Sequence, residues 1–261
     1  MSRALLSIIA TALGIRHTVS MPTPADVPRT ARERARIEIT AEILEAARTH
    51  LARDGAAALS LRAVARDVGM VSSAVYRYVP NRDALLTMLI IEAYDSLGEA
   101  VEKAERRVDR SDHLGRFMAA CHAVRAWALA GTQEYALIFG SPVPGYAAPT
   151  DTIGPASRVP VVLLTILRDL AEAGLAPNSD AVPAQVSSAV APIREFVGGA
   201  VSDDLLLRGV AAWSGLLGTV SFELYGHLHN VIASGASARK AYFDHQMRRV
   251  AIGLGLGGDI E

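Results

Sequence analysis

The sequence predicts an all-α protein: an N-terminal three-helix domain built around a helix-turn-helix, then a larger C-terminal helical domain. Three observations predict it. Apolar residues recur at helical spacing through most of the 261 residues, and no stretch alternates convincingly with the period of two that a half-buried strand needs. Ser, Thr, Asp and Asn precede the periodic stretches, and Gly or Pro follows them, as caps and stops. Hydrophobic residues are 51% of the chain and charged residues 20%, a globular composition in a chain long enough for one large helical domain or two smaller ones.

Residues 1–29 read as an extension. Arg3 followed by the apolar run 5–15 looks like the start of a secretory signal, but the run is far short of the roughly 20 residues that span a bilayer. Pro22, Pro24 and Pro28 follow, and Met21 stands just before the regular part. The favoured reading is a disordered arm, or a translation start at Met21 rather than Met1, over export.

The first helix is expected over 30–53, where Ile37, Ile39, Ile43, Leu44, Ala47 and Leu51 give a broad apolar face, and Asp54-Gly55 ends it. Leu61, Val64, Ala65 and Val68 mark a second helix. Gly69 closes it, because glycine accepts the left-handed conformation of a helix C-terminus. Ser72 and Ser73 open a third helix of about two turns, with Val75 inward and Tyr76 and Tyr78 at its far end. Pro80 stops it and Asn81 caps the next.

From Arg82 a longer helix is expected to about residue 108, with Leu85, Leu86, Leu89, Tyr94, Leu97 and Val101 on its buried side. Asp112 caps a helix through Phe117, Val124, Trp127 and Leu129, and 133–139 is a short helical piece. Residues 141–160, rich in Pro, Gly, Ala and Thr, read as a loop. A strongly apolar helix over 161–173 is closed by Gly174. Residues 177–183 are a break, and 184–197 is helical despite Pro192. Ser202 caps a long helix over 203–232, and 236–254 is the last. The expected domains are 1–29, 30–83 and 84–261.

Two short helices joined at a glycine can be a core corner in any helical protein. That reading does not account for a second helix bearing Ser72, Ser73, Tyr76 and Tyr78 in place of apolar filler. Small residues at a helix start let backbone approach base edges in the major groove, and hydroxyls and amides there donate to phosphates. Net charge is −1, so the chain as a whole is no electrostatic nucleic-acid binder. Between Arg29 and Asp83, however, ten Arg face seven acidic residues, leaving +3 there and −4 elsewhere. A mildly basic module on an acidic body suits a DNA reader with a separate sensing part.

The order Ser-Leu-Arg-x-Val-Ala-x-x-Val-Gly from Ser60, then Ser-x-Val-Tyr-x-Tyr-Val-x-x-Arg-x-x-Leu from Ser73, resembles the tetracycline-repressor (TetR) family of bacterial transcription regulators. With the upstream helix, the likeness covers about 55 residues. Ala212-Trp213-Ser214-Gly215 and Glu223-Leu224-Tyr225-Gly226-His227 resemble one C-terminal subgroup. The resemblance implies that Ser60 and Arg62 meet the DNA and that Ser72, Ser73 and Ala74 face bases. It implies backbone or thymine-methyl contacts for Tyr76 and Tyr78, and places Arg82 where a phosphate-binding Lys is common. Val71 and Ala74 depart from the pattern: the capping contact is absent or passes to Ser72, and one polar base contact is missing. Readout then leans on Arg62 and DNA shape.

The resemblance also implies a cavity for a small, mostly apolar ligand, with Trp127, Tyr135, Phe139, Trp213 and His227 as candidate lining. Core packing is the competing reading for each. The histidines are scattered; His227 and His229, two apart on a helix, face different ways, so no metal site is expected. No phosphate loop or nucleophile elbow appears, and no cofactor or membrane association is expected. Cys121, the single cysteine, reads as a core thiol. The expected protein is a cytoplasmic homodimer, not an enzyme, whose partners are a double-stranded palindromic operator and a small hydrophobic ligand. The alternative is an all-α enzyme or protein-binding scaffold with an accidental helix-turn-helix.

Overall fold

The computed structural model describes residues 30–257, so the extension expected over 1–29 lies outside the described residues. Those residues contain no strand. Helices run over Ala31–Asp54 (α1), Leu61–Asp67 (α2), Ser72–Val75 (α3), Arg82–Glu105 (α4), His113–Ala130 (α5) and Thr132–Phe139 (α6). They continue over Ile153–Glu172 (α7), Ala184–Ala189 (α8), Ala191–Phe196 (α9), Asp203–Leu224 (α10) and Ala236–Gly253 (α11).

The chain forms two compact units. The first holds the described residues up to Tyr94 together with Gln133–Thr152. The second holds Asp95–Thr132 and the described residues from Ile153 onward. Sequence punctuation suggested a boundary at 83/84, where a helix begins. The units divide eleven residues later, inside α4, because Leu85, Leu86 and Leu89 complete the core of the first unit.

That core joins Ile43, Leu44 and Ala47 of α1 to Leu61, Val64 and Ala65 of α2, with Val75 of α3 and Val79 just beyond it. Leu137, Val143 and Tyr146 pack against it from the excursion Gln133–Thr152. The Tyr146 hydroxyl lies 2.9 Å from that of Thr87 on α4. In the second unit, Phe117, Cys121 and Val124 of α5 are buried, as are Ile166, Leu167 and Leu170 of α7. Leu206, Leu216 and Val220 of α10 and Phe243 and Met247 of α11 are buried there too. Burial pushes the Cys121 thiol well up, consistent with an inert core residue. Gly209 lets α10 approach α7: a Cβ there would stand 2.7 Å from Leu167 Cδ1.

Three expectations change. Residues 153–160 are helix rather than loop, and Pro160 sits inside α7. Pro155 falls in the first turn, where an N–H would lack a partner anyway, and burial of Val159, Ile166 and Leu167 offsets the bond lost at Pro160. The helix expected over 203–232 stops at Leu224, and Gly226 follows with φ +80°. The stretch expected over 184–197 is two short helices meeting at Val190, with Pro192 in the first turn of the second.

Candidate nucleic-acid interface

The turn between α2 and α3 is built by Gly69, at φ +69°. The Gly69 amide donates to Arg66 O at 3.1 Å and the Met70 amide to Ala65 O at 2.8 Å, the paired bonds of a left-handed helix stop. Helix α3 is one turn, shorter than expected. Beyond it the chain stays coiled: the Tyr78 and Val79 amides both donate to Val75 O, at 2.9 and 3.0 Å. Buried Val75 and Val79 pin this stretch to the core, which turns the start of α3 to solvent.

Ser60 caps α2, accepting from the Ala63 amide at 3.4 Å, and is exposed. Arg62 is exposed and, among the described residues, has no hydrogen-bond or ion-pair partner. Ser72 and Ser73 are exposed and Ala74 half-buried at the start of α3. Val71, in the capping position, is 70% exposed and makes no side-chain cap. Tyr76 is 44% exposed. Tyr78 differs: it is half-buried and packs against the core.

Arg82 also differs from its expected role. Its Nε donates to Leu59 O at 3.2 Å, and its Nη2 donates to Ala56 O at 3.0 Å and Ala57 O at 3.2 Å. Nη1 lies 3.6 Å from Asp83. The guanidinium ties the start of α4 to the α1–α2 connection, leaving little of it to serve a phosphate. Nearby, Arg66 and Arg77 are exposed, and their side chains have no hydrogen-bond or ion-pair partner among the described residues. Arg66 stands four residues after Arg62, on the same face of α2; that spacing was the available signal. Buried His50 was missed as well. Its Nε2 lies 2.7 Å from Asp67, and Nδ1 lies 3.1 Å from Arg53 Nη2, joining the last turns of α1 and α2.

Neither unit gathers all five residues named for a ligand cavity. Tyr135 and Phe139 meet in the first unit, ring centroids 5.1 Å apart, with Tyr94 edge-on to Phe139 at 6.0 Å. Burial raises the Tyr94 phenol pKa. In the second unit Trp127 donates through Nε1 to Ser96 Oγ at 3.1 Å. Trp213 is half-buried on α10, and the ring of exposed His227 lies tilted against that of Phe222, centroids 5.1 Å apart. A cleft of about 380 Å³ opens in this unit beside Ser111, Asp112, His113 and Leu170, and none of the five lines it. No group of three or more His, Cys, Asp or Glu that could hold a metal occurs among the described residues.

Residues 43–89 match the family model for bacterial regulatory proteins of the tetR family, and residues 117–250 match that for the tetracyclin repressor-like C-terminal domain. The HTH-type transcriptional regulators Rv1816 of Mycobacterium tuberculosis and Mb1846 of Mycobacterium bovis are each 41% identical over 197 residues, covering 75% of this chain and 84% of theirs. Among solved structures, SCO4313, named as a regulatory protein, superposes with a TM-score of 0.67 at 32% identity, covering 85% of this chain and 98% of that one. The TetR family regulator PfmR from Thermus thermophilus has a TM-score of 0.52 at 19% identity, covering 79% and 97%, a likeness of fold alone.

Proposed function

The chain belongs to the TetR family of bacterial transcription regulators, and we propose that it represses transcription from a palindromic operator as a homodimer, releasing it when a small hydrophobic molecule binds its C-terminal part. It is a DNA-binding regulator. The observation that carries the reading is the start of α3, where Ser72 and Ser73 face solvent and Ala74 is half-buried, with the side chains of Arg62 and Arg66 on α2 unpartnered among the described residues. Small side chains there admit backbone to the major groove, and Arg62 supplies either a guanine contact or a phosphate contact. Ser60, Tyr76 and Arg77 flank this surface; Tyr78 and Arg82 support it from behind.

The dimer reading is supported by α10. Its most apolar window has a mean hydropathy of 1.4 with 28% of residues buried, and Val210 and Phe222 are 44% and 54% exposed. By length and composition alone that helix could cross a membrane; a face shared between two copies hides the same surface. Two copies about a two-fold axis read half-sites about one helical turn apart or a multiple of it. Release follows from linkage: a ligand preferring a conformation that fits the operator poorly must lower operator affinity. Such a protein acts in the cytoplasm, where its DNA lies.

Selection of genomic fragments by the purified protein tests the reading. An inverted repeat enriched upstream of a gene, and its release by hydrophobic metabolites that also raise the melting temperature, is the expected result. Failure to enrich any sequence would overturn it.

A further inference from the structure

We propose that the first two turns of α1 form a prong that grips the operator's phosphate backbone outside the groove read by α3, through Arg32 and Arg36. The inference rests on the operator-binding reading above. Residues 31–38 are all exposed, so over about 12 Å of axis, eight residues at 1.5 Å each, the helix buries no face. Partial burial begins at Ile39 and is complete at Ile43. Helices in proteins owe most of their stability to a packed amphipathic face, and these turns have none. A capping box holds them: the Glu33 amide donates to Thr30 Oγ1 at 3.1 Å, and the Thr30 amide to Glu33 Oε2 at 3.0 Å.

The charge of this stretch indicates what it meets. The side chains of Arg32, Arg34 and Arg36 have no hydrogen-bond or ion-pair partner among the described residues. Arg48, Arg53 and Arg82 of the same unit all have one. Cations at a helix start also oppose the macrodipole, which favours anions there. An unpacked helical stretch with unpaired cations is completed by a polyanion, and the polyanion this unit binds is DNA. Arg32 and Arg36, four residues apart, share one face; Arg34 points nearly the other way. Two cations on one face suit neighbouring phosphates, and such contacts fix register without reading sequence.

The test uses operator fragments selected by the full-length protein and compares it with the Arg32→Ala/Arg36→Ala double variant across a salt series. The expected result is binding at least about tenfold weaker near physiological salt and a log–log salt slope shallower by about four, two phosphate contacts being lost from each protomer of the dimer. Discrimination between the selected operator and a base-substituted half-site should stay unchanged. The melting temperature should also hold, because neither side chain packs on anything. Parent-like affinity and slope would overturn the proposal; an acidic protein or an anionic lipid as the prong's partner would give that same result. Altered base preference would overturn it too. A Ser73→Trp variant separates the two readings: if it discriminates bases like the parent, the α3 assignment falls, whatever the prong does.

Discussion

Arg125 and Glu223, 98 positions apart, close a two-pronged ion pair inside the second unit, with Nε donating to Oε2 at 2.7 Å and Nη2 to Oε1 at 2.6 Å. The Arg125 guanidinium also lies 5.3 Å from the centroid of the Phe243 ring. The pair therefore bolts α5 to α10 against α11. Both side chains are largely buried, so removing one strands the other charge. Glu223→Ala or Arg125→Ala should destabilise the protein by about 3–5 kcal/mol. A packed apolar pair, Arg125→Met with Glu223→Leu, should recover much of that. Urea midpoints for the single variants equal to the parent's would show that the pair contributes nothing.

Arg82 holds three carbonyl oxygens of residues 56–59. Arg82→Ala leaves those acceptors to water and loosens the junction of three helices. A loss of about 1–3 kcal/mol from the first unit is expected. Arg82→Lys should not rescue it, since one ammonium cannot span the positions that a planar fork reaches. Thermal unfolding is the measurement. A variant that melts like the parent yet binds operator with a flatter salt dependence would return Arg82 to the DNA.

These two contacts mark where the sequence stops being readable. The helix-turn-helix was legible because its determinants are local: Gly69 for the left-handed stop, Val75 for the inward face, Asn81 for the cap, whose Oδ1 accepts from the Ala84 amide at 2.7 Å. Caps at Ser202 and Asp112 were legible for the same reason. The backbone contacts of Arg82 are not legible in the sequence because its acceptors lie 23 to 26 positions upstream, and no periodicity reports on that. Composition makes 153–160 a loop, although the packing of α7 tolerates the one bond lost at Pro160. The excursion Gln133–Thr152 joins the first unit through Thr87 and Tyr146, 59 positions apart. Composition shows a loop there and nothing of where it docks.

Ser73 should be the sharpest probe of DNA binding. It is exposed at the start of α3 and supports no packing, so Ser73→Trp should fold normally and fail to enter the groove. Arg62→Ala should cost about 1–3 kcal/mol of operator binding if it reads a guanine, with relaxed preference at one position. If instead it touches phosphate, the loss should be uniform across sequences and the salt slope shallower by about two, one contact per protomer. Gel retardation on the selected operator, repeated with base-substituted half-sites, separates these. Unchanged binding by both variants would remove α3 as the reading element.

Gly98 is the position where a single methyl should do most damage to α4. A Cβ there would stand 2.6 Å from Arg158 Nε, 2.7 Å from its Cδ and 2.8 Å from its Cβ. The bare backbone lets Arg158 cross α4 and reach Glu102 Oε1 and Oε2 at 2.8 and 3.0 Å and Asp95 Oδ1 at 2.9 Å. Gly98→Ala would normally stabilise a helix interior by about 1 kcal/mol; here overpacking should reverse the sign, with a net loss of about 1–3 kcal/mol. Arg158→Ala in the same background should restore the usual gain. A stabilised Gly98→Ala single variant would mean that Arg158 moves aside freely.

Stability should fall with acid in two separable stages. His122, half-buried on α5, has its pKa lowered below the ordinary 6.5, first by burial and then by Lys240, Arg125 and Arg248 around it, with Asp244 opposing. The unfolded chain then binds a proton more readily than the folded one, so stability drops as pH falls below about 6.5. Glu102 acts in the same direction at lower pH. Its hydrogen bonds to Arg158 hold its pKa below the ordinary 4.5, against the desolvation that raises it. Its contribution is complete above that value and disappears as pH falls through the lower, folded one. His122→Asn should flatten the upper stage alone, and Glu102→Gln the lower stage alone. Urea midpoints measured at half-unit steps between about pH 7.5 and 3.5 resolve both stages, since each pKa difference acts only in its own window. If the His122→Asn and parent curves ran parallel below pH 6.5, the imidazole would not be the group whose burial disfavours the charged form.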